Sequence, residues 1–221
     1  QIPQTPPFPS DIELSNIPSL FMELVGGFYL EMISLLGKWT GELHLALSSD
    51  SEDPGFAPEP FSALYQRSVY QSMRNQVRRV MQSLDKNMQK LPEKIKKEAA
   101  EIRASEKEIL SSLKKIFQRM VTAMKIRIHD DYNLSEVLYT GKDLVIIDFE
   151  GNPKRPMSER RLKRSPLRDV ASMIQSFRHV AYSTLLQHAS LRPENISTLE
   201  PWIELWYHYV SGVFLRYYLN T

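Results

Sequence analysis

The sequence predicts a mainly α-helical fold with one small β-hairpin. Apolar residues recur at three- and four-residue intervals through most of the chain, which is the spacing of one helix face. One short region departs from that pattern, where apolar runs at Val137–Tyr139 and Leu144–Ile147 flank the stretch Thr140-Gly141-Lys142-Asp143. Glycine suits the left-handed backbone that tight turns need, so we expect the two runs to pair as a hairpin.

The N-terminal 19 residues are rich in proline and predict an extended arm or linker. Helical spacing follows from Leu20 to Leu47, although Gly26-Gly27 weakens the start of that helix. A loop rich in proline and acidic residues covers positions 50–60. We therefore expect two segments, an arm at 1–19 and one helical domain at 20–221.

Long helical stretches are predicted at 61–90 and 93–124, with Leu91-Pro92 between them. The second stretch carries an apolar stripe on one face and lysine and glutamate on the other. This pattern favours an antiparallel hairpin packed against its own domain; a partner-binding helix is the alternative. Two further helices are expected at 167–190 and 199–219.

Composition excludes several classes of protein. With 28 basic and 26 acidic residues, the net charge of +2 gives no sign of a nucleic-acid or membrane partner. The absence of cysteine excludes disulfides and thiolate metal sites, which fits the cytoplasm. No apolar run approaches the roughly 20 residues that cross a bilayer, so we expect a cytoplasmic protein.

Acidic residues follow the two-part pattern of a phosphoryl-transfer site. His129-Asp130-Asp131 is followed five positions later by Glu136, and the second apolar strand ends in Asp148-Phe149-Glu150. Asp131 suits a carboxylate that accepts the proton of an attacking hydroxyl. Glu136 and Asp148 are oxygen ligands of the kind that Mg²⁺ prefers. Their order, with a hairpin between them, favours this hypothesis over unrelated turn residues.

The segments around these acids resemble the maltokinase family. The resemblance rests on Asp148-Phe149-Glu150-Gly151-Asn152-Pro153 and Ser165-Pro166-Leu167-Arg168-Asp169-Val170, and upstream on Glu42-Leu43-His44-Leu45-Ala46-Leu47. It extends over roughly residues 20 to 185, and the motifs agree in order.

The resemblance implies the C-terminal lobe of a protein-kinase-like fold of the aminoglycoside-phosphotransferase type. Such enzymes use ATP and Mg²⁺ to convert maltose to maltose 1-phosphate, a step in glycogen, α-glucan and trehalose metabolism. It implies Asp131 as the catalytic residue, with Glu136 and Asp148 as metal ligands. Most of the ATP would be held by an N-terminal lobe, and a fused or associated trehalose synthase is an expected partner.

Four positions of the loop depart from the family pattern. Asp130, Asn133, Ser135 and Glu136 stand where the family has Gly, His, Gly and Gln. Asp130 would be strained if its φ is positive. We expect it to join four other carboxylates near one point, which would bind cations tightly or raise their pKa values. The alternatives are thus a catalytically silent carbohydrate-binding or scaffold domain, and a kinase for another small acceptor.

The eight glycines form no G-x-G-x-x-G and no strand lysine precedes the helices. We therefore expect a C-terminal lobe that does not turn over ATP alone.

Further substrate-binding candidates are His129, Glu150, Arg155 and Trp206. Each has a structural alternative: a support for the loop, an exposed turn, a solvated basic loop, or a core aromatic, respectively. The basic stretch at 154–168 predicts a solvated rim or contacts to sugar and phosphate more than nucleic-acid binding, because no aromatic residues interrupt it. Arg168 and Asp169 are expected to form an ion pair at a helix start.

Overall fold

The computed structural model describes Ile12 and residues 14–118, 120–191 and 193–221. The predicted arm lies largely outside these residues, and its described part includes a short 3₁₀ helix at Leu14–Asn16. The chain divides into two compact units. The first comprises residues 1–58 and Lys125–Thr221, and the second comprises Glu59–Met124. The domain boundary expected at residue 19 stays a prediction.

The described chain is mainly helical and has two small two-stranded sheets, one with strands of two residues and one with strands of three. In chain order the elements are α1 Ser19–Val25, α2 Gly27–Leu47, β1 Glu59–Pro60, α3 Ala63–Asn87, α4 Glu93–Ala104, α5 Glu106–Lys114, β2 Met124–Lys125, β3 Val137–Tyr139, β4 Leu144–Ile146, α6 Met157–Arg160, α7 Leu167–Leu191 and α8 Ile196–Leu219.

The core of the first unit lies where α8 packs on α2 and α7. Phe214 is fully buried and meets Phe177 edge to face, with the ring centroids 5.6 Å apart. Gly37 lets α2 approach α8 closely, because a Cβ at this position would lie 2.4 Å from the backbone oxygen of Phe214. α2 and α8 therefore pack closely in this core.

A sharp bend at Gly26 divides the stretch that was predicted as one helix from Leu20 to Leu47. Gly26 has a φ of 88°, and α1 and α2 meet at 87°. Glycine adopts this backbone without a Cβ clash, so the bend falls where the sequence weakened the helix. No single described helix is long and apolar enough to cross a membrane; α1 and α2 reach that length and hydropathy only when counted as a bent pair.

The second unit is a helical hairpin. The chain leaves the helical conformation at Leu91 and restarts α4 after Pro92, as expected. The predicted helix at 93–124 is interrupted, because Ser105 separates α4 from α5 and a 3₁₀ turn at Lys115–Phe117 ends the helical run. Arg103 on α4 contacts Asp85 on α3 at 2.8 Å and ties the two arms together.

The β-hairpin forms as predicted. β3 and β4 pair antiparallel with Val137 opposite Ile146, and Gly141 in the turn has a φ of 91°. The Trp39 indole N–H donates to Asp143 Oδ1 at 2.9 Å, so the turn is attached to α2. The hairpin is therefore attached to the body of the unit at its turn.

Candidate active site

The loop at 127–136 is held from behind by Asp169, near the start of α7. The Asp169 carboxylate accepts the backbone N–H of His129 at 2.8 Å and that of Asp130 at 3.0 Å. Its side chain is buried, and Oδ2 also lies 3.2 Å from His44 Nε2. The predicted ion pair between Arg168 and Asp169 is wrong, because Arg168 forms its ion pair with Asp130.

His129 connects the loop to the second motif. Its Nε2 lies 2.8 Å from the backbone oxygen of Ile147, so this nitrogen carries the donated proton. The ring contacts Tyr132 and Phe149, with centroids 5.3 and 5.1 Å away. This buried residue fits a support for the loop, the structural alternative raised from the sequence; its role toward substrate stays a prediction.

Tyr132 anchors the loop to α2. Its hydroxyl lies 2.8 Å from Thr40 Oγ1, and Thr40 donates to the backbone oxygen of Leu36 at 2.7 Å. The Thr40 hydroxyl gives the buried Tyr132 hydroxyl the hydrogen-bond partner that water would otherwise provide. Burial raises the pKa of Tyr132 above its ordinary value.

Asp131 is half-buried, with its carboxylate held by Asn152. The Asn152 side-chain amide donates to Asp131 Oδ1 at 3.0 Å. The Asn133 amide donates to the Asp131 backbone oxygen at 2.9 Å, while its own oxygen accepts the N–H of Ser135. Sequence reasoning missed Asn152, although it lies only four positions after Asp148.

A backbone hydrogen bond joins the segments that carry Glu136 and Asp148. The Ile147 N–H donates to the Glu136 backbone oxygen at 2.9 Å, which places Asp148 beside the end of the 3₁₀ turn at Leu134–Glu136. Asp148 is exposed and has a φ of 63°; Glu150 is also exposed.

Within the described residues, no group of three or more Asp, Glu, His or Cys side chains is arranged to hold a metal ion. Mg²⁺ nevertheless needs only one or two protein carboxylates when phosphates and water complete its shell. Glu136 and Asp148 as magnesium ligands therefore stay a prediction.

Asp130 does not join the expected group of five carboxylates. Its φ is 65°, as its place in a glycine position of the related motif suggested, and its side chain is 1% exposed. The carboxylate is surrounded by Arg168 at 2.9 Å, Arg155 at 3.4 Å and Arg164 at 3.6 Å. The Asp130 side chain thus lies among arginines instead of joining a group of carboxylates, which corrects the sequence-based expectation.

The remaining candidates lie apart. Arg155 contributes to the contacts around Asp130, and its exposed fraction is 25%. Trp206 stacks on Tyr29 at 6.3 Å and lines an apolar cavity of about 630 Å³. α8 approaches the loop at Tyr218, whose hydroxyl lies near His44. Trp206 is about 18 Å from Tyr218 along the axis of the same helix. The structure therefore places Trp206 in this cavity, and its role in substrate binding stays a prediction.

Solved structures of glucosamine kinases share this fold. One, in complex with glucosamine, ADP and inorganic phosphate, matches with a TM-score of 0.67 at 21% identity, over 87% of this chain and 40% of that chain. Two crystal forms of glucosamine kinase match with TM-scores of 0.68 and 0.69 at 20% identity, over 95% and 94% of this chain and 46% and 45% of theirs. No family model matches the chain.

These likenesses confirm the predicted fold class. The chain has the mainly α fold of the C-terminal lobe of kinase-like sugar kinases, and it spans less than half the length of the glucosamine kinases that it matches. At this level of identity the likeness establishes the fold alone. Membership of the maltokinase family stays a prediction, because the structural neighbours are glucosamine kinases.

Proposed function

We propose that the chain is the acceptor-side lobe of a sugar kinase that transfers the γ-phosphoryl group of ATP to a sugar hydroxyl. One observation carries this proposal: Asp131 is held by Asn152 on a loop that is joined, through His129 and Ile147, to the segment between β4 and Asp148. In this proposal Asp131 would act as the base and Asp148 as a metal ligand, which are two roles that phosphoryl transfer requires.

The reaction balances with one base. The sugar oxygen forms a bond to the γ-phosphorus of ATP, the bond from that phosphorus to the β,γ-bridging oxygen breaks, and ADP leaves. Asp131 accepts the hydroxyl proton. The Asn152 amide orients the carboxylate through its hydrogen bond to Oδ1. Glu136 and Asp148 would hold Mg²⁺, which offsets phosphate charge when bound.

Two acceptors follow from different observations. The order of sequence motifs resembles maltokinases and favours the anomeric hydroxyl of maltose. The structural neighbours are glucosamine kinases, one of them holding glucosamine and ADP, and they favour an amino sugar. We place maltose first because several separate segments carry the resemblance.

The proposal requires a second lobe. The chain covers 40–46% of the glucosamine kinase chains, so an N-terminal lobe would supply most of the contacts to ATP. A trehalose synthase, fused or associated, would supply maltose if that sugar is the acceptor.

The test uses the longer protein that contains this chain, with ATP, Mg²⁺ and either maltose or glucosamine. ³¹P NMR and mass spectrometry identify the product, and maltose 1-phosphate is expected. Asp148→Asn should abolish the product, while Asp85→Asn, in the exposed pair with Arg103 of the second unit, should not. If glucosamine gives a sugar phosphate and maltose does not, glucosamine replaces maltose as the proposed acceptor. No sugar phosphate at high protein concentration would contradict the sugar kinase and favour the silent scaffold or a kinase for another small acceptor, the two alternatives that the loop substitutions raise.

A further inference from the structure

We infer that Asp130 is a positioning residue: its carboxylate gathers three arginines and so holds the segment at 152–168 across the loop, keeping Asn152 on Asp131. Only the catalytic consequence rests on the proposed function. The clamp itself is a structural claim about this chain and is tested separately.

The cost of placing aspartate at this position indicates that its side chain has a role. A non-glycine residue at a φ of 65° is uncommon, and burying a carboxylate away from water is unfavourable unless cations compensate. Asp130 carries both costs, with its side chain 1% exposed. Such residues persist where the surrounding structure holds them, and here the surroundings are guanidinium groups.

The three arginines come from both ends of the segment. Arg155 lies shortly after Asn152, while Arg164 and Arg168 lie at the segment's end and in the first turn of α7. The contacts at 3.4, 3.6 and 2.9 Å are ion pairs rather than aligned hydrogen bonds. One carboxylate therefore holds two separate stretches of chain, and the residues between them are confined.

Two hydrogen bonds of Asn152 connect the confined segment to Asp131. The Arg155 backbone N–H donates to the Asn152 backbone oxygen at 3.0 Å, so Arg155 and Asn152 share one turn. Asn152 then donates to Asp131 Oδ1. At the other end, Arg164 and Ile126 exchange both backbone hydrogen bonds at 2.9 Å, which fixes the end of the segment beside the start of the loop.

Charge repulsion makes the effect of Asp130 larger than that of one ion pair. Burial lowers the pKa of Arg168, the nearby Arg155 and Arg164 lower it further, and Asp130 acts in the opposite direction. Without the carboxylate, the three like charges would face one another in a half-buried space. Their separation would release the turn that carries Asn152.

Hydrogen exchange measured by mass spectrometry on this chain tests the clamp. Asp130→Asn keeps the side-chain size and tolerates a positive φ, but it removes the charge. We expect exchange in peptides covering 152–168 to accelerate about tenfold or more, with peptides from α8 unchanged. Asp130→Gly, which removes any backbone strain, should act in the same direction. Asp85→Asn is the matched control, since it also removes an aspartate that contacts an arginine.

Unchanged exchange at 152–168, or equal acceleration throughout the chain, would overturn the clamp. The kinetic consequence is measured in the longer protein. Asp130→Asn should lower kcat for sugar phosphorylation while KM for ATP stays constant. Combined with Asn152→Ala, its effect should not add, because both changes release the same carboxylate. Additive losses overturn the positioning role. Absence of sugar phosphorylation in the wild type contradicts the proposed function and leaves the exchange result to decide the clamp.

Discussion

Asn152 donates its side-chain amide to Asp131 Oδ1 at 3.0 Å, across 21 positions of sequence. The contact connects the segment after the β-hairpin with the loop before it. A carboxylate that is held in one orientation is better placed to accept a proton from a bound hydroxyl than a freely rotating one. We therefore treat Asp131 and Asn152 together as the central pair of the candidate site.

Loss of the Asn152 amide should reduce turnover without unfolding the protein. In the longer protein, Asn152→Ala is expected to lower kcat by roughly tenfold to a hundredfold, since the base loses its orientation. Steady-state kinetics with ATP and the acceptor sugar measure the change. Asn87→Ala is the matched control, because the exposed Asn87 also loses a side-chain amide that donates a hydrogen bond, in its case to the Ser83 backbone oxygen. Equal kinetics for the two variants would show that the contact has no part in catalysis.

Asp169 should contribute strongly to folding stability. In Asp169→Asn, an amide N–H would face one of the backbone N–H groups that the carboxylate now accepts, leaving a buried donor unpaired. We expect the free energy of unfolding in urea to fall by about 2–4 kcal/mol.

Asp50→Asn is the control for that change. Asp50 also accepts two backbone N–H groups, from Asp53 and Glu52, which lower its pKa, but it lies in solvent. Its replacement should leave the unfolding midpoint almost unchanged. Similar losses for both variants would contradict a special role for the buried carboxylate.

Gly37→Ala should separate α2 from α8. The new Cβ would lie 2.4 Å from the Phe214 backbone oxygen, so one helix must move, at a cost of roughly 1–3 kcal/mol. Thermal unfolding measures this loss. Gly27→Ala, at the start of the same helix, meets nothing closer than Met22 Cε at 3.6 Å and should be neutral or stabilising. A Gly37 variant as stable as the Gly27 variant would contradict the close approach.

Sequence patterns predicted the elements better than the directions of individual side chains. The hairpin followed from two apolar runs and Gly141, and the break after Leu91 followed from Pro92, because these signals act through local backbone preferences. Asp130 was misplaced because the direction of a loop side chain depends on φ and on distant arginines, which no periodicity records. Asn152 was missed for a similar reason: its partner lies 21 positions away.

Alkaline pH should destabilise the fold through buried tyrosines. Burial raises the pKa of Tyr29 to about 12, and burial also raises that of Tyr132. In the unfolded chain a tyrosine loses its proton near pH 10. The stabilising contribution is thus complete below about pH 10 and is lost as the pH rises toward the folded-state values. Unfolding in urea between about pH 9 and 12 should show this decline.

Tyr29→Phe and Tyr132→Phe identify the source of the alkaline decline. Phenylalanine does not ionise, so each variant should lose stability less steeply over the same pH range than the wild type. Identical slopes in all three proteins would assign the decline to other groups.

The most direct measurement of the central claim is the single-turnover rate of the longer protein with bound ATP, Mg²⁺ and maltose, compared between the wild type and Asp131→Asn. If Asp131 accepts the hydroxyl proton, the rate of maltose 1-phosphate formation should fall by about a hundredfold to ten-thousandfold while ATP binding is retained. An Asp131→Asn protein that forms product at the wild-type rate would contradict the assignment of this loop as the catalytic one.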